Sequence, residues 1–152
     1  MTFDQTAVKN AIDALQSRGN TDIAAGINVA TSHQTSSARP EAIVAQILLS
    51  DGNPTVPNGV VNAIAAATNA AANNIIIFTI ALGSDANTTL MQQIASITGG
   101  TYYFAPSGSD LEAIYDQISE QIFNTAGVDV VVTDVIPPHA EYVSGSLTSR
   151  HA

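Results

Sequence analysis

Two oxygen-bearing side chains stand where this chain could do chemistry. Asp51 follows the apolar run Ile43 to Leu49 and opens the sequence Asp51-Gly52-Asn53-Pro54. An acid in that place can bind a divalent cation, accept a phosphoryl group, or simply close a turn. Thr21 lies in Gly19-Asn20-Thr21-Asp22, between two expected helices. Its hydroxyl can point at a strand-end site, or it can cap the helix that follows. A phosphoryl acceptor also needs a cation to stabilise the transferring charge. Lys9 is the single lysine, no lysine follows a strand end, and Arg18 and Arg39 are the remaining candidates. That chemistry is poorly supplied.

Other reactive types offer less. His33, His139 and His151 have no His or Asp at ligand spacing, so they read as solvated loop residues. Ser107-Gly108-Ser109 and Ser144-Gly145-Ser146 are not the Gly-x-Ser-x-Gly turn of a serine nucleophile. Gly99-Gly100 leads into a strand, the wrong order for a phosphate loop. Asn87-Thr88-Thr89 is a glycosylation sequon, relevant only in a eukaryotic secretory path. With no cysteine, thiolate metal sites, disulfides and cysteine nucleophiles are excluded.

These residues must be positioned by alternating elements. Val8, Ala11, Ile12 and Leu15 recur at helical spacing, which predicts a helix over 4–18 with those residues on one face. A second helix is expected over about 22–32, and the Ser/Thr-rich stretch 33–40 reads as a loop. The unbroken apolar runs 43–49 and 75–82 fit strands covered on both faces, as in parallel sheets. Helices are expected over about 58–73 and 87–98, the latter with Leu90, Met91, Ile94 and Ile97 inward. A third strand is expected over 101–105, its Tyr102, Tyr103 and Phe104 split between core and surface, with either tyrosine a possible partner contact. Ser109 and Glu112 have capping-box spacing before a last helix that turns Leu111, Ile114, Tyr115, Ile118 and Ile122 inward. Strands alternating with helices predict an α/β fold with a doubly wound parallel sheet between helical layers.

The pattern changes at Ala126-Gly127. Valines alternate through Val128-Asp129-Val130-Val131-Val132, and Pro137-Pro138 breaks the run. This predicts a division into an α/β domain over 1–125 and the start of a β-rich module over 126–152.

Thirteen acids against four bases give a net charge of -9. This argues against nucleic acid and anionic membrane surfaces as partners, since both need clustered bases, so no nucleic acid is expected. No apolar run is long enough to span a bilayer, so no membrane insertion is expected. Met1-Thr2-Phe3-Asp4 lacks the basic flank and apolar stretch of a signal peptide.

The series of motifs, taken in order, carries a resemblance. It runs Ala11-Ile12-x-x-Leu15, Gly19-Asn20-Thr21-Asp22-Ile23, then Ile47-Leu48-Leu49-Ser50-Asp51-Gly52. It continues through Ile77-Phe78-Thr79-Ile80-Ala81-Leu82-Gly83, Gly99-Gly100-Thr101-Tyr102-Tyr103-Phe104-Ala105 and Asp110-Leu111-x-x-Ile114-Tyr115. Together these resemble the later two-thirds of a von Willebrand factor type A domain, truncated at its N-terminus. The tail, with Thr133-Asp134-x-x-Pro137 and Tyr142-Val143-x-Gly145-Ser146, resembles the opening of a β-sandwich repeat of bacterial and archaeal surface proteins.

The resemblance implies a non-enzymatic adhesion module of a large secreted or surface protein. It implies Mg²⁺ or Mn²⁺ at the top of the sheet, with Thr21 as a ligand and Asp51 touching the ion directly or through a water. The partner would be a protein offering a carboxylate. The Asp-x-Ser-x-Ser that the family adds to these two is found nowhere in the 152 residues. The site is therefore expected to be incomplete here, with metal binding weak or absent. A metal-free structural or assembly domain is the alternative, and a doubly wound enzyme using Asp51 is a third reading. Without the neighbouring strand of the family fold, strand 43–49 is expected to present an open apolar edge through which the chain self-associates.

Overall fold

The computed structural model describes residues 4–16, 19–37 and 42–126. Helix α1 spans Gln5–Asp13, α2 Ile23–Ser37, strand β1 Val44–Ser50, α3 Gly59–Ala72 and β2 Ile75–Leu82. Helix α4 spans Thr88–Thr98, β3 Tyr102–Ala105, and a 3₁₀ turn at Gly108–Asp110 leads into α5, Leu111–Ala126. The sheet is parallel, in the order β1-β2-β3. The expected α/β, doubly wound architecture is what the chain adopts.

β2 is central and alternates its faces. Ile75 and Ile77 pack among α2, α3 and α4, joined by Val44 and Leu48 of β1. Phe78 and Ile80 pack on the other side with Ile114 and Ile118 of α5. The result is three layers, helix–sheet–helix, with the core divided by the sheet. On the α3 side the seam is made of small groups: Ala63, Ala66, Ala67 and Ala70 are between 0% and 4% exposed.

Two devices lock α4 and β3 against β2. The Thr98 hydroxyl accepts from the Ile77 N–H at 3.0 Å, where β3 has not yet begun and no strand partner exists. Gly99 takes the left-handed conformation (φ 73°) that ends α4. Gly100 then passes so close to β2 that a Cβ there would meet the Ile77 carbonyl group.

Several local expectations are corrected. Helix α1 ends at Asp13, short of the expected 18, and its apolar face is exposed, with Val8, Ile12 and Leu15 at 53%, 60% and 76%. The stretch 33–37 is helical, not loop, because Thr31 and Gln34 turn inward to pair with Gln46 of β1. The box that starts the last helix is Ser107 with Asp110, two residues before the expected pair. Ile97 and Tyr115 are exposed, since α4 and α5 each bury a narrower stripe than their apolar residues suggested. The proposed β-rich module over 126–152 lies, beyond Ala126, outside the described residues.

Candidate functional site

In open α/β sheets the carboxyl ends of the strands face outward as loops, and there ligands collect. Two such loops and the segment between α1 and α2 meet here. The segment before α2 contains Thr21, the loop after β1 begins at Asp51, and the loop after β2 contains Asp85. Thr21 and Thr55 bind the first two together: the Thr21 N–H donates to Thr55 Oγ1 at 2.7 Å. In return the Thr55 N–H donates to the Thr21 carbonyl at 3.0 Å. The Asn53 side chain donates to the Asp85 carbonyl at 3.4 Å, which ties in the third.

Thr21 is half-buried and Asp51 exposed. The helix-cap role open to Thr21 falls instead to Asp22, whose carboxylate accepts from the Ala25 N–H at 3.0 Å. The bonds to Thr55 use only the Thr21 backbone, so its hydroxyl is not consumed by them. Asp51 follows the last residue of β1, and Ser50 turns its own hydroxyl onto the Gly52 backbone. The structure thus brings the Thr21 and Asp51 segments to one end of the sheet. Thr55, which joins them, carries no sequence signal that could have singled it out.

The donor set has the right kind for a hard cation: one hydroxyl and one carboxylate. It falls short in number. Mg²⁺ takes about six oxygens in near-octahedral geometry, and among the described residues no three acids or histidines cluster to hold an ion. Thr21 and Asp51 do not make a closed site on their own.

The other candidates are dispersed. His33 is exposed on α2, and Lys9 lies on α1, which buries no residue. Asn87 is engaged as the cap of α4, its side chain accepting from the Leu90 N–H at 2.9 Å. Tyr103 packs with the α5 cluster, Tyr102 with Ala81 and Met91, and Phe104 is 47% exposed. Arg18, Arg39, His139 and His151 lie outside the described residues. No described helix is long and apolar enough to cross a membrane.

The family model of the von Willebrand factor type A domain matches residues 1–117. The chain belongs to that family. Such domains are generally non-enzymatic modules that bind proteins. Among solved structures, the von Willebrand A fold of this chain is similar to the conserved hypothetical protein BatB from Bacteroides thetaiotaomicron. The two are 18% identical with a TM-score of 0.64, over 80% of this chain and 70% of that one. It is also similar to proximal thread matrix protein 1 of the mussel byssus, at 18% identity and a TM-score of 0.62. That match covers 78% of this chain and 30% of the other. A second structure of the mussel protein, at 19% identity and a TM-score of 0.60, has a zinc-occupied MIDAS motif. It is matched over 75% of this chain and 29% of that one. At these identities the likeness shows the fold. No curated protein matches the chain significantly.

Proposed function

We propose that this von Willebrand A chain is a protein-binding, adhesion-type part of a large bacterial secreted or surface protein. Recognition runs through a divalent cation, Mg²⁺ or Mn²⁺, whose open position is taken by a carboxylate of the partner protein. Thr21 and Asp51 are the ligands this chain contributes. The observation that carries the reading is the pair of Thr21–Thr55 hydrogen bonds, which tethers the Thr21 segment to the loop that Asp51 opens. Hard oxygen donors at that end of a parallel sheet suit such an ion. The site is incomplete within these residues, because the Asp-x-Ser-x-Ser loop is not among them. The tail 126–152, by its resemblance to a surface-protein β-sandwich repeat, is read as the start of a separate module following the domain over 1–125.

Calorimetry tests this directly. Mg²⁺ and Mn²⁺ are titrated into this chain and into a version extended at its N-terminus to include an Asp-x-Ser-x-Ser loop. Heat is expected only from the extended chain, and Thr21→Ala and Asp51→Ala should each abolish it. An extended chain that binds neither ion, or binds equally well without Thr21 and Asp51, overturns the reading. The second reading is a metal-free structural or assembly domain, for which neither chain would give heat with either ion.

A further inference from the structure

Asn-Gly occurs once in the sequence, at Asn58-Gly59, in the loop that Asp51 opens and α3 closes. This pair is the asparagine sequence most prone to losing its side-chain amide, because glycine puts no side chain in the way of the attacking backbone nitrogen. Asn58 is exposed. Its backbone is left-handed (φ 56°, ψ 22°), and its side chain makes no capping bond at the start of α3. The other left-handed asparagine among the described residues, Asn74, precedes Ile75, whose branched side chain obstructs the same attack.

The native turn holds the reacting atoms apart. The Gly59 N–H donates to the Val56 carbonyl at 3.0 Å, closing a turn with Pro57 first and left-handed Asn58 second, the type II pattern. The Asn58 carbonyl accepts from the Asn62 N–H at 2.9 Å, at the start of α3. Ring closure needs the Gly59 nitrogen eclipsed with the Asn58 Cβ, which in an L residue takes a strongly negative ψ, whereas here ψ is 22°. Reaching that geometry breaks both bonds. Gly59 is also buried beneath its own loop: a Cβ there would stand 2.5 Å from Pro54 Cβ and 3.1 Å from a Val56 methyl. The Thr21–Thr55 bonds pin the residue between those two. The turn therefore opens only when segment 54–56 lifts.

We propose that Asn58 is a site of spontaneous deamidation whose rate is set by opening of the 51–58 loop. In the opened loop the Gly59 nitrogen gives up its proton to hydroxide and bonds to Asn58 Cγ. The Cγ–Nδ2 bond breaks and ammonia leaves, which yields a cyclic imide. Water then opens the imide at one of its two carbonyls, to aspartate or to isoaspartate. Either product adds a negative charge at the N-terminus of α3, which the helix dipole tolerates. Isoaspartate also routes the main chain through the side-chain carbons. That adds a backbone atom to a turn closed around the buried Gly59, and it turns the carbonyl that starts α3 into a side-chain carboxylate. The change is one-way, and it loosens the loop that holds Asp51 and Thr55. None of this depends on the cation reading.

The chain is incubated in mildly alkaline buffer, both native and unfolded in guanidinium chloride, and peptide mapping follows the amide-to-acid mass change at Asn58. Asp51-Gly52 can form the same ring, but without that change of mass. The unfolded chain should convert Asn58 about thirtyfold faster than the native one, equivalent to about 2 kcal/mol, the worth of the two turn bonds. Thr55→Val should speed native conversion about fivefold by releasing one tether. Thr98→Val, of at least similar cost but remote from the loop, should leave it unchanged. The aged chain should melt below Asn58→Asp, which carries the charge without the extra backbone atom. Equal rates in the native and unfolded chains overturn the proposal, as does Thr98→Val accelerating conversion as much as Thr55→Val. An Asn58 that stays intact in the unfolded chain also overturns it. An aged chain that melts together with Asn58→Asp overturns the isoaspartate step.

Discussion

Thr21 and Thr55, thirty-four residues apart, exchange two hydrogen bonds: Thr21 N–H to Thr55 Oγ1 at 2.7 Å and Thr55 N–H to the Thr21 carbonyl at 3.0 Å. The first needs the Thr55 hydroxyl and the second only its backbone. Thr55→Val should therefore cost about 1 kcal/mol in a urea melt, the usual worth of one such bond. Thr55→Ser should restore most of it. A Thr55→Val variant as stable as wild type, with Thr55→Ser the one that loses, would mean that the methyl group, not the hydroxyl, matters.

Gly100 is required by proximity, not by flexibility. A Cβ there would stand 2.6 Å from the Ile77 carbonyl carbon, which belongs to the central strand and has little freedom to retreat. Gly100→Ala should destabilise by about 3 kcal/mol or more, the upper part of the range for overpacking. Gly108→Ala, where nothing lies within 4 Å, serves as the comparison and should stay close to wild type. Thermal melts of the two variants check the contrast.

Thr98 replaces a missing strand neighbour. Its hydroxyl accepts from Ile77 N–H at 3.0 Å in a buried setting. Thr98→Val keeps the shape and strands that donor, at a cost of roughly 1–3 kcal/mol. Hydrogen exchange at the Ile77 amide should accelerate in the variant, while the amide of Ile80, on the β1 side, is affected only through the global loss.

Tyr103 carries a hydroxyl shielded from solvent, with no hydrogen bond of good geometry among the described residues. Burial pushes its phenol up from the ordinary 10.0, and the nearby Thr101 side chain only partly offsets this. The folded state then holds its proton at pH values where the unfolded chain has begun to lose it. Stability is intact below the unfolded value and falls as pH climbs through the folded one. Tyr103→Phe should be neutral or slightly stabilising at pH 7 and should flatten the alkaline loss. Chemical denaturation of both proteins across pH 9 to 11 (about one unit either side of the reference value) measures the difference.

The layered α/β fold was legible because its strands are unbroken apolar runs and its helices carry a 3.6-residue stripe. The run Ile75–Leu82 admits almost no other reading. What escaped depends on contacts across the sequence. His33 to Ser37 look like loop chemistry, yet the Gln34–Gln46 pairing and the Thr35 and Ser36 hydroxyls, bonded back to the preceding turn, hold them helical. Asp22 and Thr21 are both good caps, and only the structure shows which is used. The α1 stripe is regular, but periodicity does not say what an amphipathic face meets. Thr21 and Asp51 stand out by type and position, but only likeness to a family gives them a shared role. Spacing alone left each of them an ordinary turn or cap residue, and nothing in the sequence pointed to Thr55.

The alanine seam of α3 has a consequence for how this protein can vary. Ala63, Ala66, Ala67 and Ala70 have only a methyl to trim, and Ala→Gly inside a helix costs about 1 kcal/mol, less than forcing bulk into a closed seam. Any change that adds bulk must lever a whole helix off the sheet. Drift at these four sites is therefore one-sided. The seam behaves as a ratchet, and a homologue with a larger residue there should show a compensating shrinkage on the facing strand or on α2.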